Sequence, residues 1–363
     1  MHLDTLVEMS NRYGGNPEYV LAGGGNTSYK DKKYLYVKAS GTALADITAE
    51  GFVKMDRTAL DGIFARAYPE DTQAREAEVL KDILHARCPG EETKRPSVEA
   101  LLHHILPWAY VLHIHPAMVN GMACGKDGAQ ACASLFPGAT RMDQIMPGYI
   151  LAQKAQALID KNTRLLFLEN HGVFIGGQSV EEIDETVARM DGILEAVIRR
   201  RPDFSLCIYD SRRAADFAPA IQSLVAGGGA CVFHSSLEAA EAVSSRELFT
   251  LVSPAFTPDH MVYCNDEALF IESESELAEK TADYQARNGR LPKIIGLKDT
   301  GIYACGSGQK EADIAMAVFL DALKISVYGE SFGGAKPMCD ELVREINNWE
   351  VERYRRSMSF GKG

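Results

Sequence analysis

The stretch YVLHIHP sets His113 and His115 one residue apart. Side chains of an extended chain alternate between faces, so both imidazoles point the same way from Cα atoms about 6 to 7 Å apart. Two such rings can bring nitrogens to the ~2.0–2.1 Å of a Zn–N bond. A third imidazole, His171, comes after the apolar run LLFLEN and precedes Gly172, and an Asn-His-Gly turn at a strand's end lets the side chain lean over the sheet edge. Taken singly, each histidine is better explained as a hydrogen-bonded core residue, His171 most of all. Taken together, three neutral nitrogen ligands leave a coordination position open, the pattern of a catalytic rather than a structural zinc. Glu99 in PSVEALLHH adds a carboxylate on the helix face of His103, four residues on. It can cap a metal in the absence of substrate and act as a base once substrate displaces it. The plainer reading is a glutamate placed at a helix start by the dipole. His103 and His104 are neighbours on a helix, cannot converge on one ion, and read as packing residues or as partners behind the ligands.

A second candidate is LAGGGNTSYK, where Gly23, Gly24 and Gly25 precede Asn26 and Ser28. It matches neither G-x-G-x-x-G nor a Gly-Lys-Ser/Thr phosphate loop. On its own the stretch fits an anion-binding loop and a flexible turn equally well.

The elements that must position these groups can be read along the chain. Residues 2–12 suggest a helix, KYLYVKAS (33–40) a strand, and 58–87 a polar helical region. SVEALLHHIL begins a helix with Ser97 as N-cap, its hydroxyl able to accept from an amide two or three residues on. YVLHIHP and LLFLEN are strands. From Ser179 a long amphipathic helix runs to the Arg199–Pro202 stretch, which should end it. The domain boundary is therefore expected after residue 202, giving domains 1–202 and 203–363.

The second half repeats part of the first. LLFLENHGVFIGGQSVEEID (165–184) aligns with IIGLKDTGIYACGSGQKEAD (294–313), pairing Gly172 with Gly301, Phe174 with Tyr303, Gly177 with Gly306, Glu182 with Glu311 and Asp184 with Asp313 at a constant offset of 129. Both read as strand, glycine turn, helix. Thr300 stands at the position of His171, so chemistry that needs the imidazole is absent from the second segment. A chance match of one strand-turn-helix unit is the alternative.

With 363 residues, 46% hydrophobic and 24% charged, the chain has the composition of a globular protein with room for two cores. A net charge of −12 without a basic block argues against a nucleic-acid partner. The acidic, amphipathic N-terminus lacks the pattern of a leader, and no run approaches the ~18 apolar residues of a membrane span, so a cytoplasmic protein without membrane association is expected. The eight cysteines contain no C-x-x-C pair and indicate neither a thiolate zinc site nor a disulfide framework.

GGGNTS, VKASGT, RPSVEALLH, VLHIHP and ENHGVFIGG occur in the order and contexts of the class II aldolase/adducin family, and the chain resembles that family over about residues 1–200. Its members include L-fuculose-phosphate and L-rhamnulose-phosphate aldolases and ribulose-phosphate 4-epimerases. The resemblance implies a three-layer α/β/α fold around a mostly antiparallel sheet, with a smaller C-terminal α/β domain after it that the internal alignment marks as a degenerate repeat. It implies zinc, or another divalent metal, on His113, His115 and His171, with Glu99 as catalytic acid/base. It places the phosphate of a small-molecule sugar phosphate among Gly25, Asn26, Ser40, Gly41 and Ser97. GGGN is then a phosphate-side loop, its glycines admitting the anion to the backbone.

The implied activity is reversible cleavage of a ketose phosphate to dihydroxyacetone phosphate and a short aldehyde through an enediolate. The alternatives are epimerisation, dehydration or another lyase reaction on the same logic, a sugar-acid substrate, or a non-catalytic adducin-like binding module. The complete set of three histidines and Glu99 speaks against the last. Family aldolases assemble as ring-like tetramers, and a chain with a metal-free second copy is expected to form a smaller homo-oligomer, most simply a dimer. TPDHMVY (257–263), the Gly301 segment and NNWEVERYRRSM resemble the region C-terminal to the aldolase motifs in long bifunctional rhamnulose-phosphate aldolase/dehydrogenases. No Gly-rich dinucleotide fingerprint is present here, so a free-standing aldolase-like module is expected. His260, in TPDH, reads as a satisfied turn histidine, with reach from the second domain to the active site as the alternative. The stretch between Ser40 and Ser97 is longer than in compact family members, and the family's C-terminal tyrosine proton donor is not matched to any one position.

Overall fold

A computed structural model describes residues 2–348; of NNWEVERYRRSM, everything from Trp349 on lies outside the described residues. The chain divides into two compact units, one of residues up to 119 with 129–197, the other of 120–128 with 198–347. The fold is mixed α/β, with a large, mostly antiparallel sheet in the first unit and a smaller sheet in the second.

The first sheet is built from β1 (Asn26–Lys30), β2 (Tyr34–Lys38), β3 (Phe52–Asp56), β4 (Tyr110–Ile114), β5 (Thr140–Met142), β6 (Leu165–Leu168) and β7 (Gly172–Gly177). Their order is β3-β2-β1-β4-β7-β6-β5, and only β5 and β6 run parallel. Alternation decides which residues face which layer. On one face Leu35, Val37, Val53, Met55, Val111, Leu166 and Phe174 join a buried core with Leu60, Ile63, Val79, Ile83, Leu101 and Leu102. These come from the helices Arg57–Ala65, Thr72–His85 and Ala100–Ile105. The first two start on aspartate caps, Asp56 accepting from the Thr58 and Ala59 amides and Asp71 from that of Ala74.

The helices His2–Gly14 and Val180–Glu195 serve the other face, Ser10 Oγ lying 2.7 Å from Thr27 Oγ1 and Tyr13 donating to Asp184 at 2.7 Å. The second helix stops at Glu195, short of the arginine run that the sequence suggested as its end. Its buried stripe of Val180, Ile183, Val187, Met190 and Leu194 finishes there. Val197 and Ile198 would extend the stripe in sequence, but Val197 is exposed and Ile198 only partly buried, so little packing holds another turn.

In the second unit β8 (Ala230–His234), β9 (Leu269–Ile271), β10 (Ile294–Leu297) and β11 (Gly301–Gly306) form a sheet of order β8-β11-β10-β9. One face packs on Phe217, Ile221, Leu277 and Tyr284 from the helices Ser211–Leu224 and Leu277–Asn288. The β6–β7 and β10–β11 hairpins have the same register 129 residues apart, Leu165 opposite Ile175 and Ile294 opposite Ala304. The parallel neighbours agree as well, Thr140 opposite Leu166 and Leu269 opposite Ile295. Both hairpins turn through a residue of positive φ, Asn170 at 55° and Asp299 at 56°. No helix among the described residues is long and apolar enough to cross a membrane.

The inward row of β1 ends in Lys30, a buried amine that donates to the His103 carbonyl at 2.7 Å. Burial, assisted by Arg57, drives its pKa well below the lysine range. The unfolded chain binds this proton below about pH 10.4, whereas the folded chain binds it only at lower pH. Stability therefore falls as pH drops through that window. Lys30→Met should flatten this dependence, so that urea unfolding of the variant changes less than that of the parent between about pH 10 and pH 7.

Candidate metal centre

His113 lies on β4 and His115 just beyond it, while His171 occupies the turn between β6 and β7, the strand paired with β4. The ligand nitrogens of the three lie within 4.8 Å of one another, and those of His113 and His115 are 2.9 Å apart. Backbone contacts fix the geometry. His113 Nδ1 lies 3.0 Å from the Val173 carbonyl, which can only accept, so this nitrogen carries the proton and Nε2 presents its lone pair to the cluster. Phe174 stacks on the His113 ring at a centroid distance of 3.9 Å. The His115 amide donates to the Tyr19 carbonyl at 3.0 Å. Gly172 admits the close approach of the turn to β4, since a Cβ there would sit 2.5 Å from the Ile114 carbonyl oxygen and 2.7 Å from the His115 ring.

Glu99 caps the helix Ala100–Ile105 and completes the cluster, its Oε1 3.4 Å from His113 Nε2 and 3.3 Å from His171 Nε2. The Ser97 hydroxyl accepts from the Glu99 amide at 3.3 Å, but the helix starts only at Ala100, so the N-cap position falls to Glu99 and not to Ser97 as the sequence suggested. The other carboxylate oxygen, Oε2, accepts from the Asn26 amide at 2.6 Å. Asn26 is itself held by His103, whose Nε2 meets its carbonyl oxygen and whose Nδ1 lies 2.7 Å from Ser28 Oγ. His103 thus stands behind the candidate ligands, in a buried chain from Ser28 through His103 and Asn26 to Glu99.

Burial pushes the Glu99 carboxyl up, whereas positive charge on His113 or His171 and the Asn26 amide pull it down; with His113 neutral, His171 and the Asn26 hydrogen bond carry that pull. Burial also drives His113 well below the histidine range and His103 to about 3, each against the pull of Glu99. The forms favoured are a carboxylate and a neutral His113, both lone-pair donors. Glu99 Oε1 is buried and receives no hydrogen bond. Oxygen and nitrogen lone pairs converging on one buried point repel one another until a cation joins them, and this donor set fits a divalent metal.

The residues proposed for the phosphate side are tied together nearby. Gly25 has φ 63° and precedes Asn26, and Gly41 has φ 87° in the turn after β2. Ser40 is fastened to the 95–97 segment, its amide donating to the Arg95 carbonyl at 2.8 Å and its hydroxyl to the Pro96 carbonyl at 3.1 Å. Ser97 donates its amide to the Lys38 carbonyl at 3.0 Å. Lys38 also reaches the glycine loop, its Nζ donating to the carbonyls of Gly23 and Gly25 at 3.2 and 3.1 Å. Sequence reasoning missed this lysine. The available signal was a lysine inside the apolar YVKAS strand; it lies on the face opposite Val37 and is buried there, where its carbonyl partners make that tolerable.

Residues 4–197 match the family described as Class II Aldolase and Adducin N-terminal domain. A curated relative from Bacillus subtilis (strain 168), named "Uncharacterized oxidoreductase YuxG", is 22% identical over a 410-residue alignment that covers 98% of this chain and 58% of the relative. The chain therefore spans less than two thirds of that relative's length. Among solved structures, the N-terminal class II aldolase domain of a conserved protein from Thermoplasma acidophilum is 25% identical, with a TM-score of 0.49 over 55% of this chain and 94% of that one. L-fuculose-1-phosphate aldolase from Thermus thermophilus is 14% identical, with a TM-score of 0.36 over 61% of this chain and 97% of that one. The family match takes in more than half of the sequence and every candidate site residue from Gly25 to His171, and the chain belongs to the class II aldolase/adducin family.

Proposed function

We propose that the protein is a zinc-dependent aldehyde-lyase that reversibly cleaves a ketose phosphate to dihydroxyacetone phosphate and a short aldehyde. The observation that carries this reading is the placement of Glu99, with one carboxylate oxygen at the histidine cluster and the other anchored by Asn26. A binding module of the same fold has no use for that arrangement.

His113, His115 and His171 would hold the metal, zinc being one of the divalent ions that an imidazole set with an open position suits. A divalent ion there supplies Lewis-acid stabilisation of the negative charge that develops on oxygen as a carbon–carbon bond breaks. The protein's own groups do the rest. Oε1 of Glu99 is the proton carrier. As a carboxylate it removes the proton from the substrate carbon in the synthetic direction, and in cleavage it returns one to that carbon, balancing the proton that the substrate hydroxyl gives up as it becomes the aldehyde. Asn26 keeps Oε2 occupied, so that Oε1 is the oxygen presented to substrate. The Gly25 loop, Ser40, Gly41 and Ser97 would receive the phosphate, with Lys38 holding loop carbonyls inward and leaving amides for the anion.

The second unit is read as a metal-free copy with a scaffold role. Its register places Phe233, Ser235 and Thr300 at the positions of His113, His115 and His171, none of them an imidazole. The working form is a homo-oligomer, most simply a dimer, acting without nucleic acid or membrane in the cytoplasm. The experiment that tests the reading is a screen of phosphorylated ketoses with coupled detection of triose phosphate; no triose phosphate from any of them with the zinc-loaded protein overturns it.

Elemental analysis of the zinc-incubated protein should find a single divalent ion per chain, lost in His113→Ala and retained in Cys124→Ser. Glu99→Gln should keep the metal and lower turnover by roughly two to four powers of ten; turnover near that of the parent would remove Glu99 from the chemistry. Asn26→Ala separates two roles. A fall in kcat of about 10- to 100-fold with every substrate marks it as the anchor of Glu99. A rise in KM confined to phosphorylated substrates marks it as an anion donor.

A further inference from the structure

Away from the histidine cluster, the second unit brings two thiols together. Cys231 on β8 and Cys305 on β11 are directly opposite in register, with sulfurs 3.3 Å apart. The Cys305 amide donates to the Lys293 carbonyl at 2.7 Å, on the β10 side of its strand. In an antiparallel sheet the N–H and C=O of one residue point to the same side, so Cys305 faces Cys231 as a non-hydrogen-bonded pair. Such pairs stand about 4.5 Å apart at Cα with side chains on one face, inside the range that a disulfide spans.

The two sulfurs differ in access. Cys305 is 2% exposed in the core under the helix Ser211–Leu224, whereas Cys231 is half-buried on β8, the edge strand of the sheet. Either thiol can donate to the other; the deeper burial of Cys305 keeps its proton on, so Cys305 acts as the donor and the bond favours a thiolate at Cys231. Thiolate character and access therefore coincide at Cys231.

We propose that Cys231 and Cys305 form a redox-active dithiol that takes low-molecular-weight disulfides as its oxidant. The Cys231 thiolate attacks one sulfur of the reagent, whose S–S bond breaks and releases one thiolate. Cys305, giving up its proton, then attacks the Cys231 sulfur of the mixed disulfide and expels the second thiolate. The protein loses two hydrogens and forms one S–S bond, while one reagent disulfide becomes two thiols. The product pins the half-exposed edge strand to its neighbour, and a dithiol reductant reverses it.

The test uses the full chain exposed to oxidised glutathione, quenched by alkylation and mapped by mass spectrometry without reduction. The expected result is one linked peptide pair through Cys231 and Cys305, a fall of two in the count of eight thiols, and full recovery with dithiothreitol. Cys305→Ser should retain glutathione on Cys231, and Cys231→Ser should leave Cys305 unmodified. The wild-type map decides by itself if a variant fails to fold. Glutathione remaining on wild-type Cys231 without linkage, a bridge to another cysteine, equal labelling of Cys305 in Cys231→Ser, or both thiols unchanged each overturns the proposal.

Discussion

Asn26, His113 and Phe174 stand in one row across β1, β4 and β7, and the rest of the site depends on that register. The row sets the amide that anchors Glu99 beside a candidate ligand, and that ligand beside the ring that stacks on it. Two residues along, Ser28 and Val111 form the next row of the same face. Because strand side chains alternate, a slip of one residue would turn His113 away from the helix Ala100–Ile105 and replace it with Leu112 or Ile114. The apolar residues guard against this. Val111 and Phe174 are wholly buried in the core on one face, while Leu112 and Ile114 are wholly buried on the other, so no alternative register keeps both layers filled.

The same register explains how a polar cluster survives in so dry a place. Asn26, Ser28 and Lys30 are successive inward positions of β1, and each finds a partner on a single helical turn: the Glu99 carboxylate, the His103 ring and the His103 carbonyl. A buried polar group left without a partner costs on the order of 1–3 kcal/mol, so removing one member strands the next. The chain is closed at every link except Glu99 Oε1, and that open end lies at the three histidines. The polar network is thus arranged to leave its one unmet demand where a cation would answer it.

How much the sequence discloses depends on the range of each signal. The H-x-H strand, the Asn-His-Gly turn and Glu99 at a helix start are local patterns, readable from alternation and helix spacing. The hairpin of the second unit is legible because its register is carried by glycines and aromatics at a fixed offset of 129. The partnerships of Lys38, His103 and Asn26 are not legible, since they join residues 13 to 77 positions apart through sheet order. The three-residue strands β5 and β9 also escape a sequence reading, being too short for periodicity to register.

The two sheets also show what a shared register does and does not conserve. At equivalent positions the first unit has Gly176 opposite Val111, and the second has Cys305 opposite Cys231. Gly176 is required where it stands, because a Cβ would meet the Trp108 ring at 2.1 Å. In the second unit the position carries a thiol, packed in the core beneath the helix Ser211–Leu224. Pairing geometry, the left-handed turn residue and the two apolar layers are properties of the backbone and its packing, and they persist. Side chains at the same points answer only to their immediate neighbours, and there the chemistry of the two units diverges.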